Sequence, residues 1–279
     1  MNFVEAAAAP LRNTGDIKLH GPEGFEGMRK AGRIAAACLD MLASEVKPGV
    51  TTGHLDDLAR DFVLDSGAIS ATVFYRGYKN FLCTSINHVV CHGIPTHDKA
   101  LKEGDILNID VTVIVDGWHG DTSRMYVAGE AKRKAQRLMD VTWECLQRGL
   151  AVVKPGNTTY DIGKAIQDHA ERQRCSVVEA FCGHGLGRLF HDSPNILHFG
   201  QKNASVELKP GMFFTIEPMI NLGKKDVALL PDGWTAVTRD RSLTAQFEHS
   251  IGVTEDGCEI FTLSPAGIHT PHTQSTDAS

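Results

Sequence analysis

The heptapeptide VKPGVTT (46–52) returns as VKPGNTT (153–159), and LKEGDILNID (101–110) is echoed by LKPGMFFTIE (208–217). Both pairs share one offset, since 153 − 46 and 208 − 101 are each 107. One offset across separate blocks strongly constrains the fold. It implies two similar halves, each running helix, loop, helix, strands. Two copies are too few to stack as a solenoid, so the reading is a pseudo-twofold α+β domain whose halves face one another. The offset superimposes Asp110 on Glu217, giving each half a carboxylate at one equivalent strand position. Chance matching of K-x-G turns is the alternative, and the aligned acids weigh against it.

Asp110 lies in the stretch LNIDVTVIVDGWHGDTSRM (107–125). Residues 111–115 read as a β-branched strand, and Asp116-Gly117 is a dipeptide favoured in two-residue hairpin loops. If Val115 pairs with Trp118, Asp121 falls opposite Thr112 and points to the same face as Asp110. Two carboxylates that close repel unless a proton or a cation lies between them. On the hairpin alone, two solvated aspartates on an open sheet face fit as well.

Along the chain, residues 1–20 form an Ala-rich, then polar arm that lies on the body or is disordered. Helical spacing runs over 23–43, from a Thr51 or Thr52 cap through Asp65, over 132–151 and over 160–173. Residues 69–91 alternate short strand-like runs with a Gly/Lys/Asn loop at 76–80. The catalytic body is expected over 21–263, with halves of about 21–130 and 131–263. A Thr/Ser/Pro/His-rich tail over 264–279, including His269 and His272, is expected to be disordered.

Composition removes several function classes. Net charge of −6 gives no general attraction to nucleic acid or anionic membrane. Seven cysteines without a C-x-x-C pair suit reduced thiols in a cytosol. No apolar run approaches the roughly 18 residues of a membrane span. The N-terminus lacks the basic and apolar regions of a signal peptide. These features predict a cytoplasmic chain.

Further acids accompany the hairpin pair. FCGHGLGRLFHDSP (181–194) holds His184 and His191 in a Gly-rich loop whose glycines permit close backbone approach. Either histidine alone would be an ordinary structural residue. Glu217 in FFTIEPM and Glu248 in LTAQFEHSIGV stand in apolar runs, where an acid either points to solvent or is buried with a partner. Asp110, Asp121, Glu217, Glu248 and a Gly-flanked histidine suggest an oxygen-rich divalent metal site, and four negative charges would balance two such ions. No HExxH helix or Cys/His finger is present, which disfavours a mononuclear protease zinc or a structural zinc.

The ordered set NIDVTV, HGDTS, CGHGLGR, FTIEPM and AQFEHS, within residues 20–262, resembles the bacterial-type type I methionine aminopeptidases of the pita-bread fold. The resemblance implies that Asp121 and Glu248 bridge two divalent metals, that Asp110 completes one site, and that His184 and Glu217 complete the other. It implies Glu217 as general base, with His92 and His191 contacting the substrate. The family's methionine pocket corresponds to Tyr75, Tyr78, Cys83, Phe190 and Trp234. Its usual first residue, a cysteine, is Thr72 here, and Lys79 stands where many relatives have proline. Asn87, Val89 and Thr244 match a monovalent-cation site of some members. One histidine among carboxylates admits Co, Mn, Fe or Zn.

Only the 25 residues 192–216 separate His191 from Glu217, leaving no room for the helical insertion of type II enzymes. The zinc-finger extension of eukaryotic cytosolic forms is also missing. The expected activity is removal of N-terminal methionine from peptides and nascent chains whose second residue is small and uncharged. Ribosome association and a monomeric state accompany it. The rivals are a pita-bread peptidase that cleaves Xaa-Pro bonds and a metal-free binding protein of the same fold. The compact N-terminus weighs against the first, and the full set of five ligands against the second.

Overall fold

A computed structural model describes residues 2–268. In chain order the elements are β1 (Phe3–Glu5), β2 (Ile17–Leu19), α1 (Pro22–Leu42), α2 (Thr52–Asp65), β3 (Ile69–Ser70), β4 (Leu82–Ile86), β5 (Val89–Cys91), β6 (Asp105–Val115), β7 (Trp118–Ala128), α3 (Arg133–Ala151) and α4 (Thr159–Arg172). They continue with β8 (Ser176–Val177), β9 (Gly183–Gly185), β10 (Asp192–Ile196), β11 (Phe213–Ile216), β12 (Met219–Asn221), β13 (Val227–Leu229), β14 (Ala236–Thr238), β15 (Thr244–Gln246), β16 (His249–Val253) and β17 (Cys258–Ile260). All four expected helices form, within a residue or so of the limits read from sequence.

The repeat is a property of the backbone. Thr51 bridges Ala100, and Thr158 bridges Glu207, each pair displaced from the other by 107 residues. Ile69 pairs with Ile114 in the first half, and Ser176 with Asn221 in the second, at the same displacement. Ala71 N–H donates to the Thr112 carbonyl, as Val178 N–H does to that of Met219.

The β6–β7 hairpin has the register read from its turn, with Val115 opposite Trp118 and Thr112 opposite Asp121. Alternation sorts its side chains. Leu107, Ile109, Val111, Val113 and Val115 enter the core beneath α1 and α2, each burial contributing roughly 1.5–3 kcal/mol. Asn108, Asp110 and Thr112 point the other way. Helix α1 lies so close that a Cβ on Gly120 would stand 2.4 Å from the Ala31 carbonyl. The second half builds its own core, with Leu138, Leu146, Ile162 and Ile166 from α3 and α4 against Phe214, Ile216, Ile220 and Phe247. The halves meet along β7: Glu248 N–H donates to the Ser123 carbonyl, and the Ser250 hydroxyl donates to that of Asp121.

Of the two ends, the arm takes one of its two expected forms and the C-terminal end departs in part from expectation. The arm is ordered on the body, with β1 and β2 pairing in parallel. The expected tail begins at Ser264, yet Ser264 is buried and its hydroxyl donates to Asp40, which also accepts from Ala266 N–H. Asp40 is itself paired with Arg124, and this satisfied acid is what retains residues 264–268. His269 and His272 lie outside the described residues.

Candidate active site

Four strand segments and one Gly-flanked strand deliver the acids and the histidine to one place. Asp110 comes from β6 and Asp121 from β7. Glu217 lies between β11 and β12, where Pro218 interrupts the ladder. Glu248 lies between β15 and β16, and His184 is central in β9. Strand β9 is wedged between β10 and β11, and its glycines permit this. A Cβ on Gly183 would stand 2.3 Å from the Thr215 carbonyl oxygen, and one on Gly185 2.1 Å from that of Ser193. Single ligand atoms of Asp121, His184 and Glu248 lie within 4.8 Å of one another. His184 Nε2 is 3.5 Å from Asp121 and 3.7 Å from Glu217. Asp121, His184, Glu217 and Glu248 are buried, whereas Asp110 is partly open to the cavity.

Supporting groups fix some of these side chains and leave others bare. Thr112 donates to Asp121 at 2.7 Å and Thr215 to Glu217 at 2.8 Å. Gln246 donates to the other Glu217 oxygen at 3.3 Å, and Glu217 N–H donates to His198 at 3.1 Å. The imidazole of His184 lies 3.1 Å from the Gly185 carbonyl, which orients it. Among the described residues neither Asp110 nor Glu248 receives a hydrogen bond on its carboxylate. Thr215, Gln246 and His198 were not singled out from sequence, because their roles arise from chain crossings that no local pattern announces.

The electrostatics express the same crowding. Burial, then the charges of Asp121 and Glu217, push the Asp110 carboxyl well up. Glu248 is driven up by burial and then by Asp121, Glu217 and Asp110. Glu217 rises to about 7, through burial first and Asp121 next, against the pull of His184 and Thr215. Burial opposes charge on His184, but its hydrogen bond to Asp121 and the charges of Glu217 and Asp121 outweigh this and raise it. Unpaired carboxylates in so enclosed a space are unfavourable without a cation. Acid oxygens with one imidazole suit a divalent ion, so the donor set fits the metal.

Above the acids opens a cavity of about 490 Å³, walled by Tyr75, Tyr78, Cys83, His92, Phe190, His191 and Trp234 among others. Ring centroids lie 5.2 Å apart for Tyr75 and Phe190 and 5.0 Å apart for Tyr78 and Trp234. Each residue expected in the methionine pocket therefore lines this cavity. Phe181 and Met219 line it too, Phe181 edge-on to His92 at 5.5 Å. Neither was singled out from sequence, although Met219 is the 107-residue counterpart of Thr112. Thr72 also lines the wall, its hydroxyl donating to the Asn80 carbonyl at 2.7 Å. That bond ties the wall to the 76–80 loop, on which Lys79 is exposed. His92 holds a positive φ of 56°, a conformation rare for residues other than glycine. His191 stands 4.2 Å from His184, ring to ring, and its enclosure followed by the charge of His184 lowers its pKa. Burial lowers that of His92.

Away from the cavity, Thr244 N–H donates to the Asn87 carbonyl, and Val89 pairs with Val237 one strand over. Of the three residues matched to a monovalent-cation site, Asn87 lies in the turn between β4 and β5, Val89 begins β5 and Thr244 begins β15, and Thr244 Oγ1 is buried without a partner among the described residues.

Metallopeptidase family M24 matches residues 26–255 of the chain. The methionine aminopeptidase of Rickettsia prowazekii is 55% identical over 256 residues, covering 91% of this chain and 98% of the relative. That of Escherichia coli K12 is 52% identical, covering 88% and 94%. The Rickettsia crystal structure superposes with a TM-score of 0.87 over 88% of this chain and all of that one. Prolidase from Pyrococcus furiosus, at 20% identity and a TM-score of 0.69, shares the fold, and this chain spans 65% of its length. The pita-bread architecture, the acid cluster and the extent of these matches agree, and the chain belongs to metallopeptidase family M24, among its methionine aminopeptidases.

Proposed function

We propose that the chain hydrolyses the first peptide bond of peptides and nascent proteins that begin with methionine and continue with a small, uncharged residue. The observation that carries this reading is the meeting of carboxylates from both halves with His184 at the floor of an aromatic cavity. Asp121 and Glu248 would be shared between two divalent ions, with Asp110 on one and His184 and Glu217 on the other. Bound ions supply Lewis acidity, which lowers the pKa of water and polarises a carbonyl. Co, Mn, Fe and Zn all suit the donors.

The protein's own groups perform the rest. Glu217, beside the position of the attacking water, takes its proton and returns it to the departing amine. His191, neutral because its pKa is lowered, donates a hydrogen bond to the oxygen on which charge develops, and His92 lines the same cavity. Tyr75, Tyr78, Phe190 and Trp234 surround an unbranched thioether; burial of a methionine side chain contributes roughly 1.5–3 kcal/mol, and sulfur–aromatic contacts about 0.3–1.5 kcal/mol more. A charged first residue would lose its hydration there without a partner.

The reading extends to a cytoplasmic monomer acting on chains at the ribosome. Free thiols at all seven cysteines support the compartment, and no helix among the described residues is long and apolar enough to cross a membrane. The orphan hydroxyl of Thr244 supports a monovalent cation beside Asn87 and Val89.

A competition assay on a peptide panel tests the activity. Met-Ala-Ser and Met-Gly peptides should be cleaved efficiently. Met-Lys, Lys-Ala, Glu-initiated and N-acetylated or N-formylated peptides should be cleaved poorly. Comparable rates for Met-Ala and Lys-Ala starts would overturn it.

A further inference from the structure

The N-terminal arm lies outside the family match, which begins at residue 26, yet it forms part of the cavity wall. Strand β1 is pinned by Lys209, whose ammonium lies 4.1 Å from the Phe3 ring centroid. Beyond β2, His20 stacks on Phe213 at 4.3 Å. Between these anchors, Lys18 pairs with Asp192, their side chains 11% and 6% exposed. The same ammonium donates to the Arg12 carbonyl at 3.3 Å. Asp192 follows His191 and lines both the catalytic cavity and a separate cavity of about 580 Å³ beneath the arm. Asp192 is thus common to the two cavities, and Lys18 lines the one beneath the arm. A buried pair of this kind adds little net stability, but it fixes geometry.

The clipped arm carries Asn13 to the edge of the catalytic cavity, on the side of His191, Asp192 and Asn195. Asn13 Oδ1 accepts from Gly15 N–H at 2.8 Å and from the Ser193 hydroxyl at 3.4 Å. Its amide nitrogen donates to no group among the described residues. A peptide whose methionine fills the aromatic pocket must leave past His191 in extended form, at roughly 3.3 Å per residue. On that path its third residue would come toward the part of the cavity lining that Asn13 provides.

We propose that the arm is a subsite for the peptide beyond its second residue. Asn13 donates its free amide hydrogens to a main-chain carbonyl there, and Lys18 is the positioning residue that holds the arm against Asp192. This inference rests on the reading of the cavity as a methionyl-peptide site.

The test compares Met-Ala with Met-Ala-Ser-Gly as substrates of the metal-loaded full chain. Asn13→Ala should raise KM for the tetrapeptide about three- to ten-fold, the worth of one hydrogen bond, with kcat within about two-fold. The KM for Met-Ala should not rise in proportion. Lys18→Met should reproduce that length-dependent KM rise, and Lys18→Arg should restore most of it. Equal KM changes on both peptides, or none on either, overturn the subsite. A loss of kcat in Lys18→Met that is the same for both peptides overturns the positioning role. If Lys18→Met does not fold, Asn13→Ala still decides, because residue 13 is exposed. If the wild type cleaves neither peptide, the activity reading has failed. Calorimetric binding of the two peptides to wild type and Asn13→Ala then still measures the length preference.

Discussion

The two halves are built on one plan and differ where their acids meet. In the first, β6 and β7 run unbroken for eleven residues each, and Asp110 and Asp121 project from a regular ladder. In the second, the equivalent pair is broken at Glu217-Pro218 and at Phe247-Glu248, leaving the short strands β11, β12, β15 and β16. Residues 216 and 249, and residues 219 and 246, remain opposite one another, so Glu217 and Glu248 face each other across the gap. Asp110 and Glu217 are equivalent by the repeat; Asp121 and Glu248 are not, since Asp121 opposes Thr112 while Met219 opposes Gln246. The lesson is that a duplicated fold supplies one symmetric pair of acids, and local rupture of one copy supplies the asymmetry. Intact ladder holds Asp110 and Asp121 rigidly; broken ladder frees Glu217 for hydrogen bonds from Gln246 and Thr215.

The largest effects should come from the acids at the junction. Asp121→Asn and Glu248→Gln are each expected to lower kcat/KM by at least about 100-fold, since removing a supporting group alone costs 10–100-fold. Near-wild-type turnover with full metal content in either variant would sink the assignment. Next, His184→Ala should weaken metal retention on dialysis, whereas His191→Ala should keep the metal and lose turnover. Equal metal loss would mean that the histidine roles are wrong. The threonines give a subtler comparison: Thr112→Val and Thr215→Val should each weaken metal binding about 10-fold, read by competition with a chelating dye.

Metal-free protein should reveal the crowding through pH. Glu217 is raised from 4.5 to about 7, so between those values the folded state keeps a proton that the unfolded chain releases. The stability of the metal-free form therefore falls as pH rises through that window. Added divalent metal should stabilise more at pH 8 than at pH 5, as thermal unfolding will show, and equal shifts would contradict the crowding. The smallest effects lie at the equivalent helix starts. Thr51 caps α2 alone, whereas at α4 Asp161 accepts from both the N–H and the hydroxyl of Thr158. Thr51→Ala should cost about 1 kcal/mol and Asp161→Ala up to about 2 kcal/mol in denaturant unfolding; the reverse order would break the comparison.

What could be read from sequence was local or repeated. The Asp-Gly turn determines the hairpin register, and through it the shared face of Asp110 and Asp121. The 107-residue offset survives because both halves must build the same backbone bridges. Glu217 was ambiguous between solvent and burial, because alternation cannot be followed through a proline break. The partners Thr215, Gln246 and His198, and the pairing of the arm with Asp192, join residues far apart in sequence whose local patterns are ordinary. Ser264 looked like the start of a tail because the acid that its hydroxyl meets, Asp40, lies far away in sequence, on α1.

The central claim is that both halves contribute ligands to one shared centre of two divalent ions. Ions bound per chain should be counted by anaerobic equilibrium dialysis against manganese, for wild type, Asp110→Asn and His184→Ala. The account predicts two ions in the wild type and one in each variant, one from each half having lost its ligand. A single ion in the wild type, or two in either variant, would contradict it.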